Sequence, residues 1–162
     1  MGVARPDGDI ENRDDCERVV RAFYGRAMSD PVIGWIFVDV AQLDLEAHVP
    51  RIAAFWETIL LGGGSYSGGA FRPHAELHAR VGLSAGHFER WLWLWSGTVD
   101  ALFVGRRAEL AKSHAVRVAT AFHARLESLP AGRSPAVAGL VITQHDPAQV
   151  TGANLPGVDR QH

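Results

Sequence analysis

The sequence predicts an all-α fold. Four segments carry apolar residues at the i, i+3, i+4, i+7 spacing of a helix, no segment sustains the alternation of a strand, and clusters of Gly and Pro separate the periodic segments. At 162 residues, 47% hydrophobic and 21% charged, the chain has material for one ordinary core, so a single domain over 10–130 is expected.

The first segment places Cys16, Val19, Val20, Phe23 and Tyr24 on one helical stripe. Asp30-Pro31 ends it, because the residue before proline is pushed out of helical dihedrals, and a short turn through Ile33, Trp35, Ile36 and Phe37 follows. The second segment, LDLEAHVPRIAAFWETILLG, aligns Leu45, His48, Val49, Ile52, Trp56, Ile59 and Leu60. Pro50 would cost a hydrogen bond inside a helix, so regular structure is expected to begin near Ala47 or His48. The run GGGSYSGG (62–69) then stops the helix. It has no Lys-Ser/Thr and no preceding strand, so it is not a phosphate loop but an irregular connection.

Ser84 is the expected N-cap of the third helix, whose stripe is Phe88, Trp91, Leu92, Trp95, Val99, Leu102 and Phe103. After Gly105 a fourth helix carries Ala111, Ala115, Val118, Phe122 and Leu126 and ends by Pro130. Residues 131–162 show no sustained period and read as a loose C-terminal tail.

Composition removes several classes of function. A formal charge of −2 without a Lys/Arg block gives no attraction to nucleic acid. No apolar run is long enough for a membrane helix, and the first residues, MGVARPDGDIENRDD, lack the apolar stretch of a secretory signal. Cys16 is the one cysteine, which rules out an internal disulfide and a Cys-based zinc site. A soluble, cytoplasmic protein is the expectation.

Chemistry-bearing residues concentrate on the inward stripes. Tyr24, His48 and Trp91 all face inward, and His74 and His78 follow the glycine-rich run. Such a set suits a haem: the porphyrin supplies four nitrogens, and the protein supplies an imidazole on one face and polar donors on the other. Each residue also has a plainer reading. Tyr24 and Trp91 alone would be core aromatics, and the five tryptophans could simply fill a small core. His48 on an apolar stripe needs a polar partner, which water or a carbonyl serves as well. His87, His114, His123, His145 and His162 read as solvated or locally hydrogen-bonded, and Cys16 as a small apolar residue. His74 and His78, four residues apart, would share a helix face and could bind zinc, but Ala75 stands where a zinc protease has glutamate.

The runs FYGRAMSDPVIGWIF, HVPRIAAFWETILLG, YSGGAFRPH and HFERWLWLW, in this order and at these separations, resemble the truncated haemoglobins of the third group. The resemblance covers roughly residues 16–126. It implies a shortened globin, a two-over-two helical sandwich around a haem b (iron protoporphyrin), with the proximal helix reduced to an extended loop that the glycine-rich segment would form. By the same resemblance Tyr24 and His48 reach toward an iron-bound ligand, Trp91 lies beside the haem, Phe37 packs on the porphyrin and Ile52 fills the distal pocket. Counting forward from His48 and Tyr66, the proximal ligand is His74; counting back from Trp91, it is His78. The ungapped side of the comparison favours His74. Arg51, Arg72 and Tyr66 are the nearest candidates for the haem carboxylates.

The function implied is reversible binding of O2, NO or other small diatomic ligands, for oxygen transport or sensing. Hydrogen bonds to a charged group contribute about 1.5–3 kcal/mol, or about ten- to hundredfold in affinity, so three distal donors would mostly slow oxygen release and make bulk storage less apt. Nitric oxide dioxygenation or peroxidase-like turnover is the alternative, with electrons from a separate reductase, because the chain has no flavin or nicotinamide domain. A small globin of this kind is compatible with a monomer.

Overall fold

Asn12 opens the first helix. Its backbone is extended and its side-chain oxygen accepts the Asp15 N–H at 2.9 Å, satisfying one of the donors left over at a helix N-terminus. The helix, α1 (Arg13–Ala27), buries Cys16, Val19, Val20, Phe23, Tyr24 and Ala27, the expected stripe carried on by one turn. The computed structural model describes residues 5–64 and 66–129; the tail expected over 131–162 lies outside the described residues.

Asp30 organises the corner after α1. It is buried, one of its oxygens accepts the Val32 and Ile33 N–H groups, and the other accepts two bonds from Arg90 at 2.6 and 2.9 Å. The Arg90 guanidinium holds the Asp30 carboxyl below the usual carboxylate range. Ile33 and Ile36 turn inward while Trp35 stays exposed, and a π-helical turn at Ile36–Val40 carries the chain onward.

Two expectations are corrected here. The second helix, α2 (Leu45–Leu61), starts ahead of Ala47 because Asp44 accepts the Glu46 and Ala47 N–H groups. Pro50 therefore lies inside the helix, and its own carbonyl is taken by Arg13 at 2.7 Å. The second correction concerns the residues after the glycine-rich run: that run is free of helix at its described residues, as expected of the proximal loop, but 71–81, where no helix was expected, form α3 (Phe71–Val81). Pro73 falls in its first turn, where a missing N–H costs nothing. Arg72 pairs with Glu76 one turn on at 3.1 Å, and Gly82 ends the helix in the left-handed region at φ 64°. The described residues thus hold five α-helices, not four.

α4 (Ala85–Leu102) begins at Ser84 in a reciprocal cap: Ser84 Oγ accepts the His87 N–H at 3.3 Å, and His87 Nδ1 accepts the Ser84 N–H at 3.1 Å. α5 (Arg106–Glu127) is capped from a distance, by Asp9, whose two oxygens accept the Arg107 and Ala108 N–H groups at 2.8 Å each.

The helices pack as two pairs, α1 with α2 and α4 with α5, laid over one another through α1–α4 and α2–α5 contacts. Val19, Val20, Phe23, Val49, Trp56 and Trp95 fill the space between the pairs. α3 lies to one side and packs chiefly on α5, with Phe71 edge-on to Phe122 at 5.4 Å and Arg125 over the Phe71 ring at 3.7 Å. Among the described residues no helix is long and apolar enough to cross a membrane.

Candidate functional site

A cleft opens between α1, α2, α3, α4 and α5. Its walls are largely apolar, with Ile33, Ile36, Leu77, Leu83, Phe88 and Phe122 among them. Tyr24, Phe37, His48, Ile52, Trp91 and His74 all line it.

On one side α1 brings Tyr24 against His48 of α2. The phenol oxygen lies 2.9 Å from His48 Nε2, and the rings meet edge to face at 5.2 Å. Phe37 closes on the other side of Tyr24, perpendicular at 5.7 Å. Burial disfavours charge on both partners: the Tyr24 phenol is pushed above its usual range, and the His48 imidazole is pushed down to about 4 by burial first and by the Arg51 charge second. His48 is therefore a neutral imidazole at physiological pH.

α3 presents His74 to the same cleft. Its Nδ1 lies 2.7 Å from the Ala70 carbonyl oxygen, an acceptor only, so Nδ1 carries the proton and Nε2 keeps its lone pair. Burial lowers its pKa, opposed by that carbonyl, and Phe122 packs against the ring at 4.9 Å. His78, one turn on, is not among the residues lining the cleft, and its Nδ1 is buried without a hydrogen-bond partner.

Of the three residues expected at haem carboxylates, Arg51 and Tyr66 line the cleft, and the Tyr66 hydroxyl is buried with no hydrogen-bond partner. Arg72 does not line it; its side chain is 76% exposed and engaged with Glu76. Among the described residues no three His, Cys, Asp or Glu side chains cluster as a metal ion would require, which leaves the zinc reading without a ligand set. His87, expected to be solvated or locally hydrogen-bonded, is locally bonded, its Nδ1 capping α4, and it also lines the cleft. Its position three residues after a capping serine was the available signal.

No family profile matches the chain. A curated relative, the group 3 truncated hemoglobin ctb of Campylobacter jejuni, is 25% identical over 113 residues, which is 64% of this chain and 87% of the relative. The crystal structure of the group III truncated hemoglobin from Campylobacter jejuni superposes with a TM-score of 0.65 at 22% identity, covering 76% of this chain and 95% of that one. The chain has the fold of a truncated globin. Both relatives are of the third group, the family that the four sequence motifs resemble. In this chain, α1 and α2 form one layer of the helical sandwich and α4 and α5 the other.

Proposed function

We propose that the cleft holds haem b with His74 as the iron ligand, and that the protein reversibly binds O2 and related diatomic ligands there. The observation that carries this reading is His74 itself: a partly buried imidazole, held toward the neutral form by burial, with Nδ1 fixed on a carbonyl and Nε2 bare, in an apolar cleft that a tyrosine and a second histidine also line. A backbone carbonyl on the far nitrogen is the usual partner of a metal-bound histidine, where it fixes the ring and raises its basicity. The orphaned Tyr66 hydroxyl and the Arg51 guanidinium fit carboxylates at the edge of a flat macrocycle.

Haem supplies, when bound, an iron whose open position takes O2, NO or a similar small ligand. The chain's own residues decide how well that ligand is retained. Two tautomers satisfy the 2.9 Å contact between Tyr24 and His48. With the proton on Nε2, His48 donates to the phenol oxygen and the Tyr24 O–H is free to donate into the cleft. With the proton on Nδ1, the phenol donates to His48 instead. An acceptor in the cleft favours the first arrangement, so His48 acts by holding its proton at Nε2. The Trp91 indole adds a second donor, and Phe37 and Ile52 keep water from competing.

Titration of the purified chain with iron protoporphyrin tests the reading. A Soret band is expected, with its ligand-field signature lost in His74→Ala and kept in His78→Ala. The opposite pattern moves the iron ligand to His78, and a colourless chain in all cases ends the haem reading. Turnover of nitric oxide or peroxide with a supplied reductant, together with slow oxygen release, would make the protein an enzyme that depends on a separate reductase. Fast release without turnover would make it a carrier.

A further inference from the structure

Three of the five tryptophans form a column behind the cleft. Trp91 and Trp95 of α4 lie parallel within 4° with ring centroids 6.2 Å apart. Trp95 stacks on Trp56 of α2 at 4.5 Å and 16°. Trp91 and Trp56 line the cleft, and Trp95 lies buried between them. The other two, Trp35 and Trp93, are 42% and 65% exposed and take no part.

Packing alone asks only for bulk; the close stacking of Trp95 on Trp56, with Trp91 lying parallel beside it, has a further chemical effect. Indole is readily oxidised by one electron, and stacked indoles share the resulting positive charge between rings, which lowers its energy. The surroundings favour the same outcome. The Trp95 indole N–H donates to the Ala111 carbonyl at 3.2 Å, directing the negative end of a dipole at the ring that would become positive. His114, edge-on to Trp56 at 6.1 Å, has its imidazole held toward the neutral form by burial, so it adds little opposing charge.

We infer that the Trp91–Trp95–Trp56 column is a one-electron reserve for the cleft, used when a hydroperoxide is reduced there. The inference rests on the haem reading. The O–O bond of the hydroperoxide breaks, taking up two electrons and two solvent protons to give an alcohol and water. A haem held in the cleft would supply one of these electrons, and the column would supply the other, becoming an indole radical cation. A small reductant of the ascorbate class returns both electrons. The column thus takes the second oxidising equivalent in place of Tyr24 or His48, which the distal face needs intact.

The test uses the full chain loaded with haem, its Soret band recorded first, then reduced, mixed with one equivalent of hydrogen peroxide and frozen for paramagnetic resonance. An organic radical is expected whose signal narrows when the protein carries ring-deuterated tryptophan. Most of that signal should be lost in Trp95→Phe and kept in Trp93→Phe. Labelling the unsubstituted chain decides the matter even if Trp95→Phe does not fold. A Soret band with no radical, a radical that narrows with deuterated tyrosine, or one unchanged in Trp95→Phe overturns the inference and leaves the haem reading intact. Absence of the Soret band overturns both.

Discussion

Tyr24 and His48 are each costly to bury alone and stable as a pair. Removing the hydroxyl in Tyr24→Phe leaves His48 Nε2 unpartnered, and a buried polar atom so stranded costs about 1–3 kcal/mol of stability, readable as a lower urea midpoint. If Tyr24 donates to bound oxygen, the same substitution speeds oxygen release by about ten- to hundredfold, measurable by stopped-flow displacement. The His48 pKa sets a pH dependence of definite sign. The unfolded chain takes up a proton near 6.5 that the folded chain refuses until about 4, so stability present above 6.5 is lost as pH falls through that window. The loss is expected to be about 3 kcal/mol at about 1.4 kcal/mol per unit, and His48→Gln should flatten it in pH-dependent denaturation curves. These two residues were legible in the sequence because a polar group on an apolar stripe is an anomaly that demands a partner. Between His74 and His78 the sequence favoured His74 only through the ungapped side of the family comparison, and no periodicity separated them. Residues four apart share a helix face, so helix phase turns both the same way, and it is their position along α3, one turn apart, that puts His74 and not His78 at the cleft.

Helix α3 was misread because the glycine-rich run ahead of it suggested continued irregularity. Its own signals were there: Pro73 in the first turn, an Arg72–Glu76 pair, and Gly82 as a stop. The cap of α5 was out of reach in principle, since its acceptor, Asp9, lies 98 residues before the Arg107 N–H it serves. That cap makes Gly105 sensitive. A Cβ there would lie 2.5 Å from Asp9 Cγ and 2.6 Å from its Cβ, with φ at 147°, so Gly105→Ala must both strain the backbone and displace the capping carboxylate. At Gly82 the added Cβ meets nothing within 4 Å and only the left-handed conformation opposes it. Gly82→Ala is therefore expected to cost about 1–2 kcal/mol, and Gly105→Ala further destabilisation from the loss of a cap, about 0.5–2 kcal/mol. The order of their thermal midpoints checks this.

At the scale of the molecule, the all-α class and the paired layers followed from four amphipathic stripes, because each stripe has to be covered by another. What the stripes did not contain was the unequal anchorage of the five helices. α1, α2, α4 and α5 each bury several residues completely, whereas α3, which bears His74, buries none. Its grip comes from Phe71 against Phe122 and Arg125, and from a bond of Arg80 to the Val40 carbonyl. A ligand held by His74 would add its binding energy to the ordering of this one segment. Trypsin cleavage after Arg80 should accordingly be fast in the chain alone and suppressed on titration with iron protoporphyrin, whereas sites in α5 respond little; equal rates at Arg80 with and without the porphyrin would contradict this. If the cleft takes a haem as proposed, a weakly anchored middle segment would let proteolysis distinguish loaded from empty copies, and the survivors of a protease challenge would be those already carrying the group.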